Sequence, residues 1–246
     1  MKLIDNLLYY ISVPKCACCG ERLSKDELAL CKECKEEYNN VLRRNCSVCA
    51  KPLYECPCTN DYLDSHYIHK VIKVFRYVIK ENLPTNALIY SLKKDNRRDV
   101  LKYLSSELAD SIAYSVKAPE AYVFTSVPRR KASVIKYGID HAELLARAVA
   151  KRLGAKYKKV LISKSKSEQK RAGSREERLK NTEFRIKKKS IDLSGNNVIL
   201  IDDIITTGAS MSAAAMLLKG LGAKQIIGAS LAIAYKDTQV FYDLKR

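Results

Sequence analysis

Two adjacent carboxylates followed by a polar turn are the residues of this chain best suited to chemistry. Asp202 and Asp203 end an apolar run that begins at Ile199, and hydroxyl-bearing and small residues follow at 206–210. Carboxylates side by side can accept hydrogen bonds from two hydroxyls of a sugar ring. Backbone N–H groups and hydroxyls at the positive end of a helix attract a phosphate. We therefore expect a site for a phosphorylated sugar, formed by Asp202, Asp203, Thr206, Thr207, Gly208, Ala209 and Ser210.

The same pattern is compatible with an ordinary strand, turn and helix whose acidic pair is simply exposed at the end of the strand. An apolar run followed by two aspartates would not by itself separate these two interpretations. The added Thr206-Thr207-Gly208 sequence favours the ligand site, because hydroxyls and a flexible glycine before a helix are what a phosphate requires.

The cysteines form a second cluster of residues with chemical potential. All nine lie between Cys16 and Cys58. A Cys-x-x-Cys turn directs two thiolates to one tetrahedral metal ion, and two such turns complete a four-thiolate site. We therefore predict two structural zinc sites, with Cys18 outside both. The predicted ligand sets are Cys16, Cys19, Cys31 and Cys34 for one ion, and Cys46, Cys49, Cys56 and Cys58 for the other.

Other interpretations of the cysteines stay open at the level of sequence. An interleaved pairing of the four turns fits the spacing as well. Iron–sulfur ligation and disulfides are further alternatives, although an odd number of cysteines and no recognisable export signal disfavour a disulfide framework. Because about 50 residues bury little apolar surface, metal binding is expected to supply much of the folding free energy of this segment.

The charge of the chain is concentrated in one region. The net charge is +18, and residues 151–189 hold 16 basic and 4 acidic side chains. A patch of this kind attracts polyphosphate ligands and nucleic acids, although a solvated basic surface would have the same composition. With 47% apolar and 29% charged residues and no apolar run of about 18 residues, we expect a cytoplasmic protein without membrane insertion.

Two domains are predicted from the change in pattern along the chain. Residues 1–65 form a zinc-binding module that begins with an amphipathic helix at 1–13, which is too polar for a signal peptide. Residues 66–246 alternate between strand and helix patterns. The predicted strands are 67–77, 121–127, 160–162, 198–201 and 226–233, the last of which closes the sheet. The predicted helices start at Pro84, Arg98, Asp140 and Ser210.

This alternation predicts an α/β fold with a mostly parallel sheet flanked by helices on both faces. Ligands of such folds bind at the carboxyl ends of the strands, where the Asp202 turn is expected. Residues 163–190, here called the lid segment, have almost no apolar periodicity and many basic side chains. A loop of this length in a compact domain is usually functional or disordered, and we predict a lid over a bound polyphosphate.

At this point the residues resemble a known family. The Asp202 turn resembles the phosphoribosyl pyrophosphate (PRPP) signature of type I phosphoribosyltransferases. The order of landmarks over nearly the whole chain resembles ComF-type competence proteins, in which a double zinc-ribbon-like module precedes a phosphoribosyltransferase domain. These landmarks are Tyr77 before the helix that ends at Lys93, Val127-Pro128, Gly138 before residues 142–147, and Gln169, Arg178 and Asn181. The chain departs from the family pattern at Arg130, Asp140 and His141.

The resemblance implies a phosphoribosyltransferase-type fold and a site that binds PRPP with Mg²⁺. Asp202 and Asp203 would be the catalytic pair that holds the ribose hydroxyls, and residues 206–210 would hold the 5′-phosphate. The pyrophosphate loop would comprise Val127, Pro128, Arg129, Arg130 and Lys131, and the lid would contribute Gln169 and Arg178. His141 is interpreted either as a general acid or base or, preferably, as a surface histidine without a role.

Two functions follow from this resemblance. The first is transfer of a phosphoribosyl group to an unknown acceptor, in support of DNA uptake and natural transformation. The second is a catalytically inactive PRPP sensor or a scaffold for single-stranded DNA, with a competence helicase as a further partner. Since residues 151–189 contain only Tyr157 and Phe184 as aromatic residues, electrostatic contact with DNA is expected there rather than base stacking.

Overall fold

The computed structural model describes residues 14–46, 49–53, 55–56, 58, 63, 67–68, 70–77, 83–129, 134–135, 138–164 and 184–234. Several predicted features lie outside these residues. They are the amphipathic helix at 1–13, Arg130 and Lys131 of the pyrophosphate loop, and Gln169, Arg178 and Asn181 of the lid segment. No described helix is both long enough and apolar enough to cross a lipid bilayer.

A five-stranded sheet is the centre of the fold, and all of its strand pairs are parallel. The strands are β1 (Val71–Tyr77), β2 (Val123–Ser126), β3 (Lys156–Tyr157), β6 (Asn197–Ile205) and β7 (Gln225–Ala234). Their order across the sheet is β1-β7-β6-β2-β3. The last strand, β7, was expected to close the sheet, but it lies between β1 and β6. The strand that carries Asp202 and Asp203 is therefore the central one.

Helices cover both faces of this sheet. They are α1 (Lys32–Leu42), α2 (Pro84–Lys94), α3 (Arg98–Ser115), α4 (His141–Arg152) and α5 (Ala209–Gly220). Alternate residues of β6 belong to two different buried clusters. Ile199 and Ile201 pack with residues of α2, α3 and α4, whereas Val198 and Leu200 pack with residues of α5. This alternation is what a strand buried on both faces requires, and it confirms the layered α/β architecture.

The helix boundaries follow from local chemistry. Pro84 occupies the first helical turn of α2, where its missing N–H has no helical partner to lose. The side chain of Asp140 accepts a hydrogen bond from the backbone N–H of Glu143 at 3.1 Å and so caps α4. Gly208 precedes α5 with a φ of 80°, a left-handed conformation that glycine adopts without steric cost.

Two strands form a separate antiparallel ladder beside the main sheet. They are β4 (Leu161–Ser163) and β5 (Phe184–Ile186). The strand predicted near 160–162 is confirmed as β4, but its partner is β5 rather than a strand of the main sheet. The lid segment was predicted to span 163–190, yet Ser163 and Phe184–Ile186 are paired strand residues. The ladder thus brackets residues 165–183, which lie outside the described part of the chain.

The cysteine-rich segment packs directly on the α/β layers. Tyr38 of α1 is completely buried, with its ring centroid 6.2 Å from that of Phe75 in β1 and 5.6 Å from that of Tyr103 in α3. Its hydroxyl donates to Glu107 Oε2 at 3.2 Å. Burial raises the pKa of Glu107, which favours the protonated form in this contact. The two segments therefore share one continuous apolar core, and the predicted domain boundary at residue 65 stays a prediction.

Candidate functional site

The acidic pair lies near the carboxyl end of β6, at the edge of the sheet where the fold class predicts a ligand site. The three residues that precede it, Ile199 to Ile201, are completely buried, so the strand holds the pair on a rigid base. Asp202 is partly exposed and Asp203 is buried. The backbone N–H of Asp203 donates to Asp202 Oδ1 at 2.8 Å, and that of Ile204 donates to Asp203 Oδ1 at 2.7 Å. Each carboxylate therefore uses one oxygen to fix its own orientation.

The two carboxylates are in different electrostatic environments. Loss of hydration and the neighbouring charge of Asp203 raise the pKa of Asp202 well above its usual range. Asp203 forms an ion pair with Lys93, whose Nζ lies 3.0 Å from Oδ2. The lysine comes from the last turn of α2, and its role in the site was not recognised from the sequence. The pair thus has one ion-paired member and one member that gains a proton more easily.

The turn at 206–210 leads directly into α5, and a helix after this turn was predicted from the sequence. Gly208 is the residue directly before α5, so the first helical turn follows residues 206–208 without a break. Since glycine has no side chain, no side-chain cap occupies this end of the helix. Thr207 Oγ1 accepts a hydrogen bond from the backbone N–H of Ala209 at 3.3 Å. The side chains of Thr206, Thr207 and Ser210 are exposed. Hydroxyls and the positive end of a helix are therefore presented together, which suits an anion.

The pyrophosphate loop begins beside the acidic pair. Ser126 pairs with Ile201 across the sheet, and the backbone N–H of Val127 donates to the carbonyl of Ile201 at 2.9 Å. This extends the β2–β6 pairing to the residue that precedes Asp202. Pro128 then turns the chain, and the backbone N–H of Arg129 donates to Asp140 Oδ2 at 3.1 Å. The structure therefore brings Val127 next to the acidic pair, and Arg129 is held two residues further along by Asp140.

His141 is buried, with only 1% of its surface exposed, so its interpretation as a surface histidine is wrong. Its Nδ1 accepts a hydrogen bond from the guanidinium of Arg129, and its Nε2 donates to Asn96 Oδ1 at 2.7 Å. Burial and the positive charge of Arg129 lower the pKa of His141, so the neutral ring is favoured. Since both ring nitrogens are engaged, His141 positions Arg129 rather than exchanging a proton with a ligand.

Lys93 and Asn96 are the site residues that sequence reasoning missed. Both belong to the end of α2 and the connection to α3, and Asn96 has a φ of 52°. A non-glycine residue in this left-handed region is uncommon, and asparagine adopts it more readily than most residues. Lys93 was noted only as the end of a family landmark. The sequence signal for this contact was the pair Asp95-Asn96 directly after the two lysines that end α2. These residue types are typical of a turn, and a turn between two helices that cover a sheet can bring its side chains to the edge of that sheet.

A supporting network fixes the outer side of the pyrophosphate loop. Ser126 Oγ and the hydroxyl of Tyr157 lie 3.3 Å apart, and the guanidinium of Arg147 lies 4.4 Å from the centre of the Tyr157 ring. Glu143 binds both Arg147, at 2.8 Å, and Lys159. These contacts join β2, β3 and α4 behind the loop.

The cysteines form two groups of four. The sulfur atoms within each group lie within 4.8 Å of one another, and the groups are Cys16, Cys19, Cys31 and Cys34, and Cys46, Cys49, Cys56 and Cys58. The Sγ atoms of Cys19 and Cys31 are 3.7 Å apart. A tetrahedral site with Zn–S bonds of about 2.3 Å places its sulfurs about 3.8 Å apart, whereas a disulfide needs about 2.05 Å. Each group therefore fits a single tetrahedral metal ion.

Burial makes four neighbouring thiols a poor arrangement without a cation. Loss of hydration and the adjacent thiols raise the pKa of Cys58 to about 12, and the same causes raise the pKa of Cys34. A coordinated metal reverses this, because its charge deprotonates the thiols that bind it. Both groups have four cysteine ligands, which is typical of structural rather than catalytic zinc.

The second group contacts two basic residues of the central sheet. Lys73 of β1 is only 1% exposed, and its Nζ donates to the carbonyls of Cys58 at 2.7 Å and Cys56 at 3.3 Å. Arg76 donates from Nη2 to Cys46 Sγ at 3.2 Å. A zinc ion with four thiolates has a formal charge of −2, which these two cations would balance. Such charge compensation is expected wherever an ion is buried.

Comparison with known proteins finds one matching domain and one relative that matches most of the chain. Residues 140–241 match the family model of the phosphoribosyl transferase domain. Over 228 aligned residues, the chain is 25% identical to the competence protein ComFC of Streptococcus pneumoniae. The alignment covers 86% of this chain and 96% of that protein. The parallel sheet, the matched domain and the cysteine groups confirm the predicted fold class of a type I phosphoribosyltransferase-like sheet with an N-terminal cysteine-rich module.

Other proteins match over a smaller part of the chain. The chain is 50% identical over 50 residues to the ribose-phosphate pyrophosphokinase of Pyrococcus abyssi, which covers 20% of this chain and 18% of that protein. It therefore spans about a fifth of the length of that relative. Among solved structures, the purine phosphoribosyltransferase from Pyrococcus horikoshii is 22% identical with a TM-score of 0.35, and the match covers 54% of this chain and 72% of that chain.

Proposed function

We propose that this chain, a ComFC homologue with a phosphoribosyl transferase domain, binds PRPP with Mg²⁺ and transfers its phosphoribosyl group to an acceptor. The observation that carries this proposal is the register of β2, β6 and α5. Val127, the pair Asp202 and Asp203, and the turn at 206–210 lie at one edge of the sheet, which supports their proposed roles. These three parts correspond to the pyrophosphate, the ribose hydroxyls and the 5′-phosphate of a single ligand.

Each part of the ligand has a partner of suitable chemistry. Asp202 and Asp203 accept hydrogen bonds from the two ribose hydroxyls, and the turn at 206–210 surrounds the 5′-phosphate. Arg129 meets the pyrophosphate, together with Arg130, Lys131 and the lid residues Gln169 and Arg178. A Mg²⁺ ion held by oxygens of the ligand would neutralise the leaving pyrophosphate, and it needs few protein ligands because hard cations keep ligand and water oxygens.

The contribution of the protein to transfer is positioning and charge stabilisation. Breaking the bond between C1 and pyrophosphate leaves positive charge on the sugar and negative charge on the leaving group. A preorganised guanidinium beside that leaving group lowers the barrier without the need to reorganise. Arg129 meets this condition, because Asp140 holds its backbone and His141 holds its side chain. The acidic pair faces the sugar, where positive charge develops.

The cysteine groups support a structural role for zinc. With four thiolates in each group, zinc would join turns that are distant in sequence, and the buried Lys73 would join the second group to the sheet. We propose that both ions are structural and that the protein works in the cytoplasm, where thiols stay reduced and available to zinc. The PRPP site is then built on a sheet that the module helps to hold.

A second candidate function is a PRPP sensor or a scaffold that contacts single-stranded DNA during DNA uptake, beside a competence helicase. The exposed lysines that follow β5 favour this candidate, since Lys187, Lys188 and Lys189 are consecutive and exposed. Phosphate contacts by such a surface weaken as salt is added. A DNA affinity that does not change with salt concentration would exclude this candidate.

Pyrophosphate release from PRPP separates the two functions. The zinc-loaded chain is incubated with PRPP and Mg²⁺, with and without acceptor bases and nucleotides, and compared with the double variant Asp202→Asn, Asp203→Asn. Acceptor-dependent release by the wild type alone supports the transferase. Binding of PRPP without release by either protein supports the sensor. If the wild type does not bind PRPP, both functions of the site are excluded.

A further inference from the structure

The ion pair between Lys93 and Asp203 lies where the ribose hydroxyls are expected. The side chain of Asp203 is only 12% exposed, and its Oδ1 already accepts from the backbone N–H of Ile204. The ammonium of Lys93 lies 3.0 Å from Oδ2, the carboxylate oxygen that does not accept from Ile204. A sugar hydroxyl that is to bind Asp203 has to displace this cation.

Lys93 can leave Asp203 without unfolding any part of the site. Its side chain is 25% exposed, and it extends from the final turn of α2 on a flexible four-carbon stem. An ammonium displaced from a buried carboxylate is stabilised only if it finds a second anion or full hydration. The fate of this charge therefore decides how easily the carboxylate becomes available to a ligand.

The second anion would lie on the side of the pyrophosphate loop. Asn96, three residues after Lys93, accepts a hydrogen bond from His141, which in turn holds the guanidinium of Arg129. The end of α2 is thus tied to the residue that is proposed to meet the pyrophosphate. The same end of α2 therefore contacts Asp203 through Lys93 and, through Asn96 and His141, is connected to Arg129. A lysine at this position can reach from the acidic pair toward an anion bound by Arg129.

We propose that Lys93 selects a ribose that carries pyrophosphate at C1 over ribose 5-phosphate. The cation occupies Asp203 in the free site, is displaced by the ribose hydroxyls, and then binds the pyrophosphate of the same ligand. Ribose 5-phosphate has to displace the same cation but offers it no partner. Selectivity of this kind comes from a cost imposed on the wrong ligand as much as from a contact to the right one. The inference rests on the proposed PRPP site.

The test compares two ligands on matched variants. The affinities of the full-length zinc-loaded protein for PRPP and for ribose 5-phosphate, both with Mg²⁺, are measured by calorimetry. Lys93→Met is expected to lower the ratio of PRPP affinity to ribose 5-phosphate affinity by about tenfold or more, because ribose 5-phosphate no longer has to displace a cation and PRPP loses its charged contact. Lys93→Gln is expected to behave in the same way and serves if the methionine variant folds poorly. Lys94→Met is the control, because Lys94 contacts the ring of Tyr90 on the surface.

The outcomes separate this inference from the function on which it rests. Equal changes in both affinities in the Lys93 variants would overturn it, because they would mean that Lys93 only shapes the acidic pair. Weaker binding of ribose 5-phosphate in the Lys93 variants would overturn it as well. If the wild type binds neither ligand, the proposed function fails and the inference fails with it. If the wild type binds PRPP and the Lys93 variants have the same ratio of PRPP affinity to ribose 5-phosphate affinity as the wild type, the proposed function stands and the inference alone is wrong.

Discussion

His141 donates a hydrogen bond from Nε2 to Asn96 Oδ1 at 2.7 Å. Because Nδ1 of the same ring accepts from Arg129, the imidazole connects the end of α2 to the pyrophosphate loop in its neutral form. The connection joins residues that are 45 positions apart in sequence. It holds the guanidinium of Arg129 at the edge of the sheet where β6 presents the acidic pair.

This relationship predicts a pH dependence. The pKa of His141 lies below its ordinary value of 6.5 because of burial and the charge of Arg129. The unfolded chain therefore takes up a proton at a higher pH than the folded chain does, and stability falls as the pH decreases below about 6.5. The free energy of unfolding, measured by denaturant titration at several pH values, should decrease more between pH 7.5 and 5.5 in the wild type than in His141→Gln.

The glutamine variant is a suitable control because its amide can accept from Arg129 and donate to Asn96 without titrating. Other titrating groups contribute equally to both proteins and cancel in the difference. Identical pH profiles for the two proteins would contradict the assignment of His141 as a buried neutral residue.

Asp202 is predicted to reduce stability at high pH. Because burial and the charge of Asp203 raise its pKa, the folded chain keeps a proton on Asp202 at pH values where the unfolded chain has lost it. Stability therefore decreases as the pH rises above the ordinary value of 3.8. Asp202→Asn should increase the free energy of unfolding at pH 8 and change it little at pH 4, while PRPP binding is weakened.

Asp192→Asn is the matched control for this measurement. Hydrogen bonds from Ser194 lower the pKa of Asp192, so the same substitution there is expected to reduce stability at pH 8 rather than increase it. A decrease at pH 8 for both variants would show that Asp202 is stabilised in its charged form.

Gly208 is predicted to be required both for the turn and for the ligand. Its φ of 80° is unfavourable for alanine by roughly 1–2 kcal/mol, and a Cβ would stand at the start of α5 where the phosphate is expected. Gly195, with a φ of 74° and no atom within 4 Å of a Cβ, provides a comparison. Thermal unfolding should show a similar loss of stability for Gly208→Ala and Gly195→Ala, but only the former should weaken PRPP binding. Equal PRPP affinities for the two variants would mean that the turn does not contact the ligand.

The cysteine groups are predicted to hold one zinc ion each. Metal analysis should find two ions per chain in the wild type and in Cys18→Ser, and one in Cys19→Ser or Cys49→Ser. Lys73→Met should retain the first ion but lose the second more readily to a chelator, because Lys73 donates to the backbone of the second group. Loss of both ions at the same rate in Lys73→Met would show that the charge of Lys73 does not stabilise the second site.

The parts of the site that depend on local pattern could be predicted from the sequence. The buried run before Asp202, the glycine at the start of α5 and the cap at Asp140 each depend on residues a few positions apart. The cysteine turns are of the same kind, and the structure groups their sulfurs as the spacing predicted. Local periodicity and turn chemistry are sufficient for such features.

The remaining parts depend on how distant elements pack. Lys93 reaches Asp203 only because α2 ends above the carboxyl edge of the sheet, and no local pattern specifies that contact. His141 was interpreted as exposed because it stands at a helix start, yet Asn96 and Arg129 contact both of its ring nitrogens. The two-residue strand β3 is too short for a periodic signal, and β4 resembles a sheet strand although its partner is β5. Tertiary contacts decide these cases.

The central claim is that PRPP binds at the edge formed by Asp202, Asp203 and the turn at 206–210. Calorimetric titration of PRPP and Mg²⁺ into the zinc-loaded wild type, Asp203→Asn and Asp192→Asn tests it most directly. We expect saturable binding of one PRPP per chain to the wild type and to Asp192→Asn, and an affinity lower by about tenfold or more for Asp203→Asn. Equal affinities for all three proteins, or no binding to any of them, would contradict the assignment of this edge as a PRPP site.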